Sequence, residues 1–144
     1  MRKTRKENLD DIHMNIASMY ASMSEDPDRK VGCIIVKDTN IIGIGYNGTL
    51  SGADNTIESK GDKSHVVHAE INALAKILRS TSNNLEGAEL FCTTLPCLEC
   101  SKVIYQSGIR KIYFDEYYHR DDRGLALLST LGVEYTQIKS SKNK

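Results

Sequence analysis

The chain has 144 residues, 40% of them hydrophobic and 26% charged, which suits one ordinary globular domain and leaves no room for a second. Lysine plus arginine equals aspartate plus glutamate at 19 each, so no net charge attracts the protein to a nucleic-acid backbone or an anionic membrane. A small ligand is favoured, with no stable nucleic-acid partner and no membrane.

The basic N-terminal segment, residues 1–11, leads into an amphipathic stretch. It lacks the apolar core of roughly 7–15 residues and the cleavage site that mark a signal peptide. We therefore expect a cytoplasmic location, and one domain over residues 1–138.

The first half of the chain predicts one helix and one hairpin. The helix is indicated by apolar residues at helical spacing, namely Leu9, Ile12, Ile16, Met19 and Met23. It ends before Pro27, which cannot continue a helix. Two short apolar runs, 31–36 and 41–48, flank the turn "KDTN" and predict a β-hairpin. Residues 49–64 are polar and Gly-rich and predict a long surface loop.

The second half alternates between helices and strands. The predicted helices cover about 68–80, 97–107 and 122–131, and the predicted strands cover 88–94, 111–115 and 133–138. This alternation implies crossover connections and a sheet covered on both faces. We expect the tail, residues 139–144, to be disordered.

Two short motifs open predicted helices at what we expect to be one end of the sheet. "HAE" supplies His68 and Glu70, and "PCLEC" supplies Cys97 and Cys100 directly after a strand. A helix N-terminus lowers the pKa of a thiol, and two thiolates with one imidazole make the three protein ligands of a catalytic zinc. Glu70, kept off the metal, is then placed to act as a general base on the metal's water.

Two other interpretations of the cysteines stay open. A strand followed by "CLEC" at a helix start is also the thioredoxin arrangement, although dithiol redox chemistry would need neither His68 nor Glu70. Cys33 and Cys92 lie within apolar strands and are expected to be buried non-ligands. Cys92 could complete a four-coordinate structural zinc only by pointing out of the sheet end.

H-x-E followed by P-C-x-x-C is the signature of the zinc nucleobase deaminases. Beyond it, the chain resembles the deoxycytidylate (dCMP) deaminase family over nearly its whole length. The matching stretches are "SEDPDRKVGCIIV", "IIGIGYNG", "HAEINAL", "LPCLECSKVIYQSGIRKIYF" and "YYHRDD". The zinc motifs are shared with tRNA adenosine, riboflavin-pathway and polynucleotide cytidine deaminases, whereas "GYNG" with "HAEINA" and "YH" favours the nucleotide enzyme.

The resemblance implies an α/β fold, a three-layer α/β/α sandwich with a central five-stranded mixed sheet of the cytidine deaminase type. It implies one zinc ion per chain, held by His68, Cys97 and Cys100. The implied reaction is hydrolysis of dCMP to dUMP and ammonia, which supplies thymidylate synthesis, with Glu70 as general acid and base. The alternatives are another cytosine or adenine substrate, as nucleoside or nucleic acid, or a CxxC redox protein.

The resemblance also suggests substrate contacts. Asn47 matches an asparagine that bonds the sugar, and the backbone N–H groups near Ala69 and Cys97 would steady the base. Ser24 and Arg29 are candidates for the 5′-phosphate, and Tyr118 for stacking on or bordering the pyrimidine. Two alternatives stay open: Arg29 could be a solvated charge in a turn, and Tyr118 could serve only in packing.

Members of the family are commonly hexameric and regulated, with dCTP and Mg²⁺ activating and dTTP inhibiting at a separate site. A glycine-rich turn lets backbone amides approach phosphates closely. The candidate effector residues lie in the "GYNG" turn and the following helix: Gly45, Tyr46, Asn47, Gly48, Asn72 and Arg79. The sequence is equally compatible with an unregulated enzyme.

Overall fold

The computed structural model describes residues 2–54, 56–80, 84–118 and 120–144. Four helices and seven strands follow in chain order: α1 (Arg5–Ala21), β1 (Gly32–Lys37), β2 (Asn40–Tyr46), β3 (Gly48–Thr49), β4 (Val66–Val67), α2 (Ala69–Leu78), β5 (Glu89–Thr94), α3 (Leu98–Gln106), β6 (Lys111–Glu116), α4 (Arg123–Thr130) and β7 (Glu134–Gln137). A short 3₁₀ helix, Ser141–Asn143, follows β7. Among the described residues, no helix is both long and apolar enough to cross a lipid bilayer.

Five strands form the central sheet in the order β2-β1-β5-β6-β7, and β3 pairs with β4 in a separate two-stranded sheet. β1 runs antiparallel to both β2 and β5, whereas β5, β6 and β7 are mutually parallel. The parallel half places the carboxyl ends of β5 and β6 at the same edge of the sheet.

Successive residues of β1 and β5 belong to two different hydrophobic cores, because side chains alternate across a sheet. Cys33 and Cys92 face α2, α3 and α4, whereas Ile34 and Phe91 face α1. The prediction that both cysteines are buried is confirmed. Helices thus cover both faces, which confirms the predicted three-layer α/β/α sandwich around a five-stranded mixed sheet.

Two boundaries differ from the sequence prediction for local reasons. α1 begins well before its first periodic residue, because Thr4 and Glu7 form a reciprocal capping box. The second apolar run, predicted over 41–48, is divided at Asn47, after which the chain leaves the central sheet to pair β3 with β4.

Residues 139–144, which the sequence predicts to be a disordered tail, make polar contacts with the domain. In the structure the backbone N–H of Ser141 donates to the side-chain oxygen of Asn15 on α1. The amide of Asn143 donates to the carboxylates of Asp115 and Glu116 at the end of β6. These polar contacts, which the polar tail sequence does not reveal, hold residues 139–144 against the domain.

The apolar stripe that predicts α1 does not face the sheet. The buried side of the helix carries Asp10, His13, Met14, Ala17 and Ala21. Ile12, Met19 and Met23 of the stripe are exposed. The helix itself is confirmed, but its core-facing residues are mostly small or polar and give no amphipathic signal.

α2 packs so closely on β2 that two positions admit only glycine. A Cβ atom on Gly45 would lie 2.2 Å from the backbone oxygen of Ala69 and 2.5 Å from the backbone nitrogen of Ala73. Gly43 meets α2 in the same way, one turn further along. The glycines of β2 therefore fix the distance between the sheet and the helix that begins at His68.

We expect Gly45→Ala to lower the free energy of unfolding by about 1–3 kcal/mol, because the added methyl group overpacks a backbone contact. Gly48→Ala is the matched control, since a Cβ atom there meets nothing within 4 Å. Denaturant unfolding of both variants measures the difference. Equal stability of the two variants would contradict a packing role for Gly45.

Candidate active site

The starts of α2 and α3 bring three ligand-type side chains to one point. His68 is the N-cap of α2 and Cys97 is the N-cap of α3, with Cys100 in the first turn of α3. His68 Nδ1 lies 3.2 Å from Cys100 Sγ and 3.6 Å from Cys97 Sγ. The three ligand atoms all lie within 4.8 Å of one another, so they can share one metal ion.

The electrostatics of this group suit a metal that binds thiolates. Hydrogen bonding from Cys100, with further contributions from His68, lowers the pKa of Cys97 to about 4. The hydrogen bond with Cys97 raises the pKa of His68. A thiolate, a second thiol and an imidazole form the donor set of a three-ligand zinc site. The residues therefore fit the metal that the sequence predicts.

Glu70 lies two residues after His68, in the first turn of α2, and is 4% exposed. Burial raises the pKa of its carboxyl group, while its own backbone N–H and the charge of His68 act in the opposite direction. Glu70 is not part of the three-residue ligand group. Its carboxyl group thus lies beside the three predicted ligands without being one of them.

A cavity of about 190 Å³ has His68, Cys97 and Glu70 in its wall. Buried or half-buried residues around the predicted metal site include Val31, Ala69, Glu70, Thr94, Leu95 and Cys97. The remaining wall is polar and carries Asp26, Asp28, Arg29, Asn47, Lys63 and Arg120. Tyr118 and Val66 complete the lining. The same cavity is therefore lined by apolar side chains, by the titratable groups of the predicted site and by cationic side chains.

The side-chain amide of Asn47 is fixed inside the cavity wall. Its Oδ1 accepts from the backbone N–H of Val31 at 2.8 Å, and its Nδ2 donates to the backbone oxygen of Arg29 at 2.8 Å. Nδ2 also lies 3.4 Å from the Asp26 carboxylate. A carbonyl oxygen can accept two hydrogen bonds, so Oδ1 retains capacity for a hydroxyl donor.

Ser24 does not line the cavity, contrary to the expectation of a phosphate contact. It is buried, and its hydroxyl donates to the backbone oxygen of Asn47 at 2.8 Å. The hydroxyl oxygen of Ser24 in turn accepts the backbone N–H of Asp26 at 3.2 Å. Ser24 therefore supports Asn47 rather than a phosphate.

Arg29 and Tyr118 face the cavity together. The guanidinium carbon of Arg29 lies 5.1 Å from the centre of the Tyr118 ring, within the range of a cation–π contact. Both side chains are half-buried. Both were predicted to contact the substrate, and both line the cavity.

The sequence prediction missed Asp26, Asp28, Lys63 and Arg120. Lys63 pairs with the carboxylates of Asp26 at 2.9 Å and Asp28 at 3.2 Å. Hydrogen bonds from the Ser59 hydroxyl and from the backbone lower the pKa of Asp28 to about 2. The two aspartates flank Pro27 in a motif already singled out, whereas a lysine in a polar loop gives no signal.

The proposed effector residues occupy a different place. Gly45 is buried against α2, and Asn72 donates from Nδ2 to the backbone oxygen of Tyr46 at 2.8 Å. Gly48 is half-buried, and Arg79 is an exposed residue at the C-cap of α2. None of these four residues lines the cavity, whereas Asn47 does. His119 of the "YYHRDD" motif lies outside the described residues.

Residues 7–116 match the model of a family described as the cytidine and deoxycytidylate deaminase zinc-binding region. Deoxycytidylate deaminase of Homo sapiens is 35% identical over 139 residues, which cover 87% of this chain and 76% of the human protein. The enzyme of Schizosaccharomyces pombe is 35% identical over 147 residues, covering 93% of this chain and 45% of its own length. The chain thus spans about half the length of that fungal relative.

A solved structure gives the same picture at the level of the fold. The crystal structure of dCMP deaminase from the cyanophage S-TIM5, in complex with dCMP and dUMP, superposes with a TM-score of 0.84. It is 36% identical and covers 95% of this chain and 100% of that chain. Similarity on this scale extends well beyond the residues of the two zinc motifs.

We expect the purified protein to contain about one zinc ion per chain, because a catalytic site has three protein ligands around one ion. Cys100→Ala should lose that zinc and much of its thermal stability, since metal binding is coupled to folding. Cys92→Ala, at an equally buried cysteine outside the ligand group, is the control and should retain zinc. Elemental analysis of the purified variants measures their zinc content. Loss of zinc from Cys92→Ala would show that Cys92 is a ligand.

Proposed function

Since the chain belongs to the cytidine and deoxycytidylate deaminase family, we propose that it hydrolyses dCMP to dUMP and ammonia. One observation carries the proposal: a single cavity is lined by His68, Cys97 and Glu70 and also by three cationic side chains. The first set suits hydrolysis of an amidine C–N bond, and the second suits a phosphate monoester. The ligand named in the S-TIM5 structure is this nucleotide.

In this mechanism His68, Cys97 and Cys100 hold the zinc ion. When bound there, zinc lowers the pKa of a coordinated water to about 7 and so supplies the nucleophile at neutral pH. Glu70 accepts a proton from water and delivers it to N3 of the cytosine as C4 is attacked. It then accepts the proton of the hydroxyl group now on C4 and passes it to the departing amino group, which leaves as ammonia as the C4 carbonyl forms. One carboxyl group thus serves as base and as acid.

Other groups of the chain position the nucleotide. The backbone N–H groups at the starts of α2 and α3, near Ala69 and Cys97, have no intrahelical acceptors and can donate to the base. Asn47 can accept a sugar hydroxyl at Oδ1. Tyr118 borders the pyrimidine and keeps Arg29 directed into the cavity through their contact.

The 5′-phosphate is assigned to Arg29 and Arg120, with Lys63 nearby. Guanidinium groups bind phosphate oxygens through paired, charge-assisted hydrogen bonds. Lys63 contributes less, because it is already paired with Asp26 and Asp28. The phosphate preference therefore depends mainly on the two arginines.

The alternatives have less support. A dithiol redox role would leave His68 and Glu70 without a function, although both share the cavity with Cys97. A nucleic-acid substrate would favour a basic surface, whereas this chain has no net charge.

We also propose that the enzyme is cytoplasmic and hexameric and that it supplies thymidylate synthesis. Its activity would be raised by dCTP with Mg²⁺ and lowered by dTTP. Arg79 and Asn72 lie two turns apart on one face of α2 and are the effector candidates. Gly45 contributes to that site through packing, because its backbone contacts α2 directly.

Glu70→Gln should lower turnover by several orders of magnitude, since each proton transfer contributes typically ~10²–10⁴-fold. Zinc content should stay unchanged, because all three ligands remain. The melting temperature should change little, since the swap at a helix start removes only ~0.3–1 kcal/mol of dipole interaction. Glu86→Gln, at an exposed carboxylate, is the control. Release of zinc by Glu70→Gln would identify Glu70 as a ligand instead, and near-normal turnover would place the base elsewhere.

The phosphate assignment predicts a substrate preference. In an ultraviolet assay of dCMP, deoxycytidine, CMP and a cytosine oligonucleotide, kcat/KM should be highest for dCMP. Arg120→Ala should lower kcat/KM for dCMP about 10–100-fold, the equivalent of one charged hydrogen bond, and leave deoxycytidine unchanged.

Arg123→Ala, an exposed arginine paired with Asp121 outside the cavity, is the matched control. A preference for the nucleoside or the oligonucleotide contradicts the assignment, as does an equal loss on both small substrates. The same assay with dCTP and Mg²⁺ or with dTTP tests regulation, and unchanged rates would show that the enzyme is unregulated.

A further inference from the structure

Two carboxylates lie in the polar wall of the cavity to which a phosphate has been assigned. Asp26 and Asp28 line this wall together with the cations Arg29, Lys63 and Arg120. The pKa of Asp28 is lowered to about 2. The pKa of Asp26 is also lowered, because the effect of its burial is outweighed by hydrogen bonds from Lys63 and from the backbone. Both groups are therefore ionised at neutral pH, and like charges repel a phosphate.

Lys63 is the cation that pairs with both carboxylates. Its Nζ lies 2.9 Å from Oδ1 of Asp26 and 3.2 Å from Oδ2 of Asp28. Among the described residues, no other cationic side chain forms an ion pair with either carboxylate. Three cations and two anions leave the wall with one positive charge, and loss of the Lys63 charge would leave it with none.

We propose that Lys63 determines whether this site accepts a phosphate, by neutralising Asp26 and Asp28 rather than by binding the phosphate itself. Lys63 is in this sense a positioning residue, which acts through the two carboxylates and leaves the arginines to interact with the anion. The inference rests on the proposed function, which assigns a phosphate group to this wall.

The geometry disfavours direct contact between Lys63 and the phosphate. An ammonium group that turned towards the anion would give up both of its ion pairs. Asp26 is only 6% exposed, and a buried carboxylate without a counter-ion is costly. The lysine is therefore more stable between the two aspartates than on the phosphate.

A purely structural role for Lys63, as the anchor of its loop, has less support because the loop has other anchors. The Ser59 hydroxyl and the Lys60 backbone N–H both donate to the Asp28 carboxylate. The backbone oxygen of Lys63 accepts the N–H of Val66 at the start of β4. None of these bonds uses the Lys63 ammonium group, so removal of its charge should leave the loop in place.

Steady-state kinetics of the zinc-loaded enzyme with dCMP and deoxycytidine test the proposal. Lys63→Met removes the charge and keeps a long unbranched side chain. Its KM for dCMP should rise about tenfold at unchanged kcat, because uniform binding is lost, while deoxycytidine kinetics should change less than twofold. Lys63→Arg should restore the wild-type KM. Lys60→Met, the same loss of charge at an exposed lysine outside the cavity lining, is the matched control.

The double variant Lys63→Met, Asp28→Asn distinguishes charge neutralisation from direct contact. Asparagine retains an acceptor oxygen for the Lys60 N–H and removes one of the repelling charges. KM for dCMP should therefore return to within about threefold of the wild-type value. A lysine that bound the phosphate directly would show no such rescue, which would overturn the proposal. It is also overturned if Lys63→Met leaves KM for dCMP unchanged, impairs deoxycytidine equally, or has the same effect as Lys60→Met.

Titration of the zinc-loaded protein with inorganic phosphate, followed by calorimetry, separates this inference from the proposed function. The wild-type protein should bind phosphate, and Lys63→Met should weaken that binding about tenfold. Equal phosphate affinity of the two proteins, or no binding by the wild type, would overturn the inference even if dCMP is deaminated. Failure of the wild type to deaminate dCMP would instead refute the proposed function, and the titration would still decide the role of Lys63.

Discussion

The structure of the site depends on the convergence of two helix N-termini at one end of the sheet. His68 and Cys97 both occupy N-cap positions, with extended backbone angles that turn each chain into its helix. Because both helices start there, their unpaired N–H groups and positive dipole ends surround the same small volume. These positive helix ends favour negative charge, which helps to stabilise the Cys97 thiolate close to the buried Glu70.

The positions of the two helix starts are fixed by how their helices pack on, or connect to, the central sheet. α2 lies against β2 at positions where only glycine fits, and α3 follows β5 through Leu95 and Pro96. β5 is the middle strand of the sheet, covered on both faces. The predicted metal ligands thus lie at the starts of helices that pack on the buried sheet, whereas the polar wall of the cavity comes from loops.

Residues at the helix starts could be predicted from sequence, whereas most residues contributed by loops could not. His68, Glu70, Cys97 and Cys100 belong to short motifs whose spacing already implies their geometry. Lys63 contributes only because residues 59–63 lie against the turn around Pro27, which brings the lysine to two carboxylates. A contact of that kind depends on tertiary placement, which no local pattern encodes.

For α1 the local pattern is clear, yet it does not show which side of the helix faces the sheet. Its apolar spacing is clear, but the residues that meet the sheet include Asp10, whose carboxylate binds Lys6, and His13, whose ring packs edge-on against Phe91. Asp10 faces the core with its carboxylate paired, whereas His13 does so through its ring contact, and its Nδ1 has no hydrogen-bond partner among the described residues. Periodicity alone therefore predicts the helix but does not predict which of its sides is buried.

The two ends of the cavity differ in how much order a ligand must impose. The Asn47 amide is already immobilised by its hydrogen bonds to Val31 and Arg29, so contact with it costs little conformational entropy. Arg120 is exposed, and ordering a side chain of this length costs about 0.5–1.5 kcal/mol on binding. Under the proposed function, recognition at Asn47 is therefore preorganised, whereas recognition at Arg120 requires a strong charge interaction to offset the loss of rotamer freedom.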